Sequence, residues 1–150
     1  MKLTKTSAQA ALAMSYLAQQ PAGELTQARQ VAEHLGIPTD SALKILQALV
    51  RQQLLRSQLG RSGGYQVLVP AEELTLLQIV EAIDGPIHAE LPIDTTEDAL
   101  AGPVAALRQT CQRSVELLRS ELTNTTVADL AASTGDDAMP ALSTSLAIAG

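Results

Sequence analysis

The sequence predicts a mostly α-helical fold that carries one small β-hairpin. Apolar residues recur at steps of three and four through most of the chain, which is the spacing of amphipathic helices. Between residues 54 and 69, two stretches typical of strands flank the glycine-rich segment Gly60–Gly64. The 150 residues suffice for one domain of ordinary size, or for a small domain with a dimerising extension.

The composition narrows the class of protein further. Hydrophobic residues make up 46% of the chain and charged residues 17%, so the chain has enough apolar surface to fold. With two Tyr and neither Phe nor Trp, it lacks the side chains of an aromatic base-stacking platform. The single Cys excludes an intramolecular disulfide framework and a cluster held by several thiolates of one chain. We expect a cytoplasmic protein.

The net charge of −6 conceals a division along the chain. Residues 1–70 carry seven Lys and Arg against three acidic residues, a net charge of +4. Residues 71–150 carry three Arg against thirteen acidic residues, a net charge of −10. This asymmetry predicts a basic working surface on the N-terminal part and an acidic remainder.

Three helices are predicted in the first third of the chain. We expect their N-caps to be Thr6 or Ser7 for the first, Thr26 for the second and Thr39 for the third, which runs to about Gln53. The second helix ends at Gly36, where a left-handed cap is favoured. Their predicted apolar faces are Ala8, Ala11, Leu12 and Tyr16; Val31, Ala32 and Leu35; and Leu43, Leu46, Leu49 and Val50. No stretch reaches 18 consecutive apolar residues, so we expect no membrane span.

The segment after the third helix predicts a β-hairpin formed by Leu54–Leu59 and Tyr65–Val69, with Arg61 at its tip. Two short helices joined by a turn and followed by a hairpin form a winged helix-turn-helix domain, which we place at residues 1–86. Glycines let such a wing lie close to a phosphate, or enter a narrow minor groove with its arginine. No Lys-Ser/Thr pair follows the glycines, so the segment does not fit a nucleotide phosphate loop.

The remainder of the chain is predicted to serve dimerisation. A helix capped by Thr75 ends at Asp84–Pro86, and an acidic loop follows at 87–103. Residues 104–132 form a long helix with a return turn, and 133–150 a flexible tail. The apolar stripe of the long helix has the helical period of about 3.6 residues and predicts pairing with a second copy. It consists of Val104, Leu107, Cys111, Val115, Leu118 and Leu122.

Together, these motifs resemble the Rrf2 family of bacterial winged-helix transcription regulators. The resemblance covers about residues 1–132 and rests on Met1–Thr4, Gln30–Ile37, Leu54–Ser57, Gly60–Tyr65, Glu72–Thr75 and Ile83–Pro86. It implies a homodimer whose long C-terminal helices cross and whose third helices and wings face palindromic double-stranded DNA. By the same analogy, repression is the favoured outcome of binding.

The sequence departs from the family pattern at positions that matter for function. Many members hold an iron–sulfur cluster with three cysteines in the loop after Gly-Pro, whereas residues 87–103 contain no cysteine. We therefore expect a regulator without the cluster and without another cofactor. The family's basic and tyrosine positions on the first helix are Ala8 and Gln9 here. Its Tyr-Leu-Glu in the recognition helix is Ser41–Leu43, and its arginine before the wing glycine is Leu59.

Two groups of residues are expected to contact DNA. Short polar side chains at the exposed start of the third helix can reach base edges, and cationic residues elsewhere can hold the backbone. The expected base-reading residues are Thr39, Asp40, Ser41 and Lys44. The expected backbone contacts are Lys2, Lys5, Thr26, Gln27, Arg51, Arg56 and Arg61, with Ser62, Gly63 and Gly64 in the wing.

Three other interpretations stay open. A relative that has lost DNA binding would act as a protein-interaction module through its dimer and acidic surface, as Ala8, Leu43 and Leu59 favour. A metal could be shared across the dimer by Cys111, His34 or His88. An enzyme is disfavoured, because the sequence has no nucleophile elbow, no nucleotide fingerprint and no recognisable pair of carboxylates.

Overall fold

The computed structural model describes residues 3–94 and 96–133. Lys2 and almost all of the predicted tail lie outside the described residues. Within them, six helices and one two-stranded antiparallel sheet confirm the predicted fold class. In chain order, the elements are α1 (Lys5–Ala18), α2 (Ala28–Leu35), α3 (Thr39–Arg51), β1 (Leu55–Gln58), β2 (Gly64–Val67), α4 (Leu76–Asp84), α5 (Asp98–Asn124) and α6 (Val127–Ala132).

Helix α1 runs through the centre of the core, and its buried face overlaps in part with the predicted one, because Ala11 is buried and Tyr16 packs against the core. Ala10, Met14 and Leu17 are buried, whereas Leu12 is 58% exposed. The prediction was wrong for Leu12 because alanines recur around the whole helix, so apolar spacing alone did not single out one side. The alanines on the buried side leave room for α2, α3, α4 and α6 to pack closely against α1.

The N-caps of the first three helices lie one or more residues from their predicted places. Helix α1 is capped by Thr4, whose Oγ1 accepts from the Ser7 N–H at 3.0 Å and donates to Asp84 Oδ1 at 2.8 Å. The second contact ties the start of α1 to the end of α4. Helix α2 is capped by Gln27, because Thr26 is engaged in a backbone bridge described below, and the N-cap residue of α3 is Pro38.

The turn between α2 and α3 forms as predicted. Gly36 has a φ of 64°, the left-handed conformation that glycine adopts without a steric penalty. The N–H of Ile37 donates to the Ala32 carbonyl at 3.0 Å and closes the end of α2. Helices α2 and α3 then pack through buried residues that include Val31 and Leu46.

The wing is a hairpin with a backbone contact on its outer edge. In the pairing of β1 with β2, Arg56 lies opposite Gln66 and Ser57 opposite Tyr65. On the other edge of β2, the Thr26 N–H donates to the Tyr65 carbonyl at 3.0 Å, and the Tyr65 N–H donates to the Thr26 carbonyl at 2.8 Å. These two bonds fix the wing to the residue that precedes α2.

Helix α4 follows the prediction, whereas the start of α5 does not. Thr75 caps α4 through a reciprocal pair of hydrogen bonds with Gln78, and the helix ends at Gly85. Helix α5 begins at Asp98, inside the predicted loop of 87–103, and contains Pro103. The proline is tolerated there because it costs one hydrogen bond near the exposed start of the helix, where water can satisfy the freed carbonyl.

Helix α6 returns to the core, as the sequence predicted for Val127 and its neighbours. Val127 is fully buried, and its N–H donates to the Leu74 carbonyl at 2.8 Å. The N–H of Thr126 donates to the carboxylate of Asp129, and this bond lowers the pKa of Asp129 below its usual value. The end of α5 is therefore anchored on the N-terminal helices.

The rest of α5 extends away from that anchor. Leu122 is buried, whereas Leu107 is 49% exposed and Leu100 is 46% exposed. The remaining residues of the predicted dimerisation stripe, Val104, Cys111, Val115 and Leu118, are half-buried. Among residues 3–94 and 96–133, no helix is both long and apolar enough to cross a bilayer.

The core predicts that truncation of a buried leucine lowers the free energy of unfolding far more than truncation of an exposed leucine. Leu46 is fully buried between helices, so Leu46→Ala should lower the free energy of unfolding by about 2–5 kcal/mol. Leu117, which is 70% exposed on α5, provides the matched control, and Leu117→Ala should change stability by less than about 0.5 kcal/mol. Chemical denaturation followed by circular dichroism measures both values. Similar losses in the two variants would contradict this core.

Candidate nucleic-acid interface

The outer side of α3 carries a polar stripe. Asp40, Lys44, Gln47 and Arg51 are exposed at steps of four, three and four residues, so they share one face of the helix. The opposite face holds Ala42, Leu46 and Leu49 in the core. Gln47 was absent from the predicted contacts, although its spacing from Lys44 and Arg51 marks it in the sequence.

An open groove of about 620 Å³ separates α3 from the wing. One wall is formed by α3, with Leu43, Gln47 and Arg51, and the other by the wing, with Gln58 and Leu59. Leu59 is 95% exposed, and Leu43 is half-buried. The groove is therefore polar at Gln47 and Arg51. It is apolar at Leu43 and Leu59, the two positions where the family pattern has charged residues.

A second depression joins α3 to the start of α1. Lys5, the first residue of α1, lines it together with Ser41 and Lys44. Both lysines are exposed, so the surface beside the start of α3 is cationic. The wing lies across the groove from Gln47 and Arg51 of the same helix. On α2, by contrast, Arg29 is paired with Glu33 at 2.8 Å, which reduces its contribution to the cationic surface.

The tip of the wing is a tight turn that presents Arg61. The Gly63 N–H donates to the Gly60 carbonyl at 3.0 Å, which places Arg61 and Ser62 at the two central positions of the turn. Gln27 Nε2 donates to the Arg61 carbonyl at 3.4 Å. This contact connects the tip to the start of α2, while the side chain of Arg61 stays exposed.

The last two wing glycines serve the packing of the wing itself. A Cβ at Gly63 would lie 2.1 Å from the Gln58 carbonyl oxygen, and Gly63 is buried. A Cβ at Gly64 would lie 2.7 Å from the Thr26 carbonyl oxygen. Both glycines are thus required by the close approach of two backbone segments, a role that the sequence did not predict.

Two of the predicted contacts are engaged in contacts of the wing itself. Thr26 is 3% exposed, because its backbone pairs with Tyr65, so its side chain does not reach an outside ligand. Arg56 Nε donates to Gln66 Oε1 at 2.9 Å across the hairpin. Arg56 does not line the groove, whereas the next three residues of the hairpin, 57–59, do. Lys2 lies outside the described residues.

The loop before α5 forms two local contacts. His88 Nε2 lies 2.7 Å from Glu90 Oε1, and this hydrogen bond, together with the Pro86 carbonyl, raises the pKa of His88. Arg119 of α5 pairs with Glu81 of α4 and donates to the Ile87 carbonyl at 3.1 Å. Across 3–94 and 96–133, no three His, Cys, Asp or Glu side chains come together as a metal-binding group.

Comparisons with known proteins identify the family of the chain. A family model described as "Rrf2: Iron-dependent Transcriptional regulator" matches residues 3–133. Two proteins from different strains of Mycobacterium tuberculosis, both named as HTH-type transcriptional regulators, are each 31% identical to the chain over 131 residues. Each match covers 87% of this chain and 81% of the relative.

Solved structures share the fold. CymR, the global cysteine regulator of B. subtilis, matches with a TM-score of 0.74 at 22% identity, over 89% of this chain and 98% of that chain. The oxidized form of Staphylococcus aureus CymR matches with a TM-score of 0.70 at 25% identity, with the same coverage. IscR of T. potens matches with a TM-score of 0.60 at 17% identity, over 87% of this chain and 85% of that chain. The predicted winged-helix architecture is thereby confirmed.

The contact between Gly64 and Thr26 predicts the effect of a single methyl group. The atom closest to a Cβ at Gly64 belongs to the backbone and cannot rotate away, so Gly64→Ala should destabilise the protein by about 1–3 kcal/mol. Gly102 lies in α5 with open space around it, and Gly102→Ala should be neutral or should stabilise by up to about 1 kcal/mol. Thermal unfolding compares the two variants. Equal losses would contradict the close approach of the wing to Thr26.

Proposed function

The chain belongs to the Rrf2 family of transcriptional regulators, and from this we propose that it is a repressor that binds palindromic operator DNA as a homodimer in the cytoplasm. The proposed regulator works without an iron–sulfur cluster. The observation that carries the proposal is the continuity of one surface, on which α3 lies between Lys5 and the Arg61-tipped wing.

This surface has the parts that a winged helix needs to bind DNA. The outer stripe of α3 enters the major groove, where Lys44 and Gln47 reach base edges and Arg51 lies close to the backbone. Lys5 holds a phosphate beside the start of α3, and Arg61 reaches the neighbouring minor groove. Asp40 lies in the first turn of α3, at the positive end of the helix dipole. This positive end offsets part of the repulsion between the Asp40 carboxylate and a phosphate.

The exposed part of α5 supports the homodimer. Leucines at positions 100 and 107 are close to half exposed, and large apolar side chains of this kind are stabilised when a second chain covers them. A two-fold pair doubles the number of phosphate contacts and presents two copies of α3 to a palindrome.

The iron dependence in the family description does not fit the donors of this chain. The loop that follows Gly85–Pro86 contains no cysteine, and His88 is paired with Glu90 in it. Cys111 lies on α5, and the described residues bring no second and third donor to it. A metal held jointly by two subunits stays a prediction, for which metal analysis of the anaerobically purified protein is the test.

One observation favours a second function. The nearly complete exposure of Leu59, beside Leu43 in the groove, is typical of a surface that binds another protein. On that alternative, the chain has lost DNA binding and acts as a protein-interaction module. The two functions differ in their dependence on Arg61.

Removal of the wing arginine tests DNA binding. Arg61→Ala should weaken binding to DNA fragments that flank the protein's own gene. It should also reduce the slope of log K against log salt by about 2 per dimer, because each subunit loses one cation that neutralises charge on the DNA. Fluorescence anisotropy at several salt concentrations gives both quantities. Arg113→Ala, which removes the same charge from an exposed position on α5, should leave the affinity unchanged.

Two results would favour the protein-interaction module instead. One is the absence of salt-sensitive binding to any fragment by the unaltered chain. The other is an Arg61→Ala variant whose affinity and salt slope equal those of Arg113→Ala.

Substitution of Gln47 should have a different effect, because an amide can pair with a base edge but carries no charge to neutralise a phosphate. Gln47→Ala should cost about 1–3 kcal/mol of affinity for the fragment that binds most tightly, with no change in affinity for unrelated DNA. Gln52→Ala alters the same type of side chain just after α3 and should have no effect. Parallel titrations with specific and unrelated duplexes measure the difference, and a uniform loss on both would contradict base readout by Gln47.

A further inference from the structure

Leu43 is an apolar side chain in a row of polar ones on α3. It lies four residues after Thr39 and four residues before Gln47, so the three side chains follow one another along the helix, one turn apart. Thr39 and Gln47 are exposed, and Leu43 is half-buried. Leu43 lines the groove beside the wing together with Gln47. It therefore adjoins the part of α3 that we place against base edges.

Packing in the core accounts for only part of the Leu43 side chain. Ala42 and Leu46 on either side of it are fully buried, whereas Leu43 packs against the core with one part of its surface and leaves the rest open to the groove. Water in contact with this open part is released when a ligand covers it, which favours binding of an apolar group there. The structure thus offers an apolar contact beside Gln47.

The major groove of DNA presents one apolar group that matches such a contact, the C5-methyl group of thymine. The other groups that distinguish the bases there are hydrogen-bond donors and acceptors. A leucine placed over them would displace their water without replacing the lost hydrogen bonds, which costs free energy. A leucine therefore favours thymine over the other bases at the position that it covers.

We propose that Leu43 packs on the C5-methyl group of a thymine and so selects an A·T pair at one position of each half-site. The inference rests on the proposed DNA-binding function and adds a base preference to it. Leu43 and Gln47 are one helical turn apart, about 6 Å, and successive base pairs are about 3.4 Å apart. The thymine covered by Leu43 should therefore lie about two base pairs from the base that pairs with Gln47. On this proposal, the apolar groove wall belongs to a DNA-reading surface.

Replacement of single thymines by deoxyuridine tests the contact, because it removes the methyl group and leaves every hydrogen-bonding group of the base in place. The probe is the DNA fragment that the unaltered protein binds most tightly, with one thymine replaced at a time, and fluorescence anisotropy gives each affinity. We expect one position in each half-site where uracil weakens binding about fourfold, which corresponds to about 0.8 kcal/mol for a buried methyl-sized group. Uracil at the other positions should change the affinity less than about twofold, as expected for methyl groups that no apolar side chain covers.

Variants of Leu43 connect the uracil effect to this side chain. Leu43→Ala should bind the thymine and uracil fragments with equal affinity, because the apolar contact is lost in both. Leu43→Met keeps an apolar side chain of similar size and should retain most of the difference. Leu117→Ala, which truncates an exposed leucine of α5, is the matched control and should retain all of it. Thermal unfolding shows whether Leu43→Ala is folded, and the uracil scan of the unaltered protein needs no variant.

The outcomes separate failure of the contact from failure of the proposed function. If the protein shows salt-sensitive DNA binding but no uracil position weakens it, or if Leu43→Ala keeps the full uracil effect, the thymine contact is wrong and the proposed function stands. The same holds if Leu43→Ala loses affinity while its uracil effect stays unchanged, since Leu43 then contacts the sugar–phosphate backbone or serves stability alone. If the effect disappears in Leu59→Ala instead, the contact belongs to the wing. Absence of salt-sensitive binding to any fragment would overturn both proposals.

Discussion

A core without phenylalanine or tryptophan has to bury its apolar surface by close approach of its helices, and α1 makes this approach possible. The alanines on its buried side, with Met14 between them, admit α2, α3, α4 and α6. Each neighbour of α1 then contributes a different part of the molecule. Helix α3 exposes the polar stripe, α4 packs against the long α5, and α6 packs against α1 in the core.

The position of the wing also depends on the close approach of two backbone segments. It is held by backbone bonds between Thr26 and Tyr65, and these form because Gly64 has no side chain to keep the two segments apart. The attachment sets where Arg61 stands relative to α3, which are two parts of the proposed DNA-binding surface. Residues with no direct access to a ligand, Thr26 and Gly64, thus position the residues that have it.

Helix α5 divides into an anchored end and an outward end with different chemistry. Near the anchor, the Arg119–Glu81 pair and the Ile87 carbonyl join α4, α5 and the loop between them, so the direction of α5 is fixed relative to α3. The outward end is apolar and carries few charges.

The amino-acid sequence by itself determined the features that depend on local chemistry. The order of the elements, the left-handed turn at Gly36, the Thr75 cap and the Arg61-tipped hairpin all followed from residues close together in the chain. The family followed from the same motifs. The exposure of Leu12, the burial of Thr26, the pairing of Arg56 with Gln66 and the start of α5 before Pro103 were decided only by the tertiary structure. The physical reason is that a helix with alanine on every side, or a strand with polar residues on both faces, gains its orientation from the neighbours that cover it.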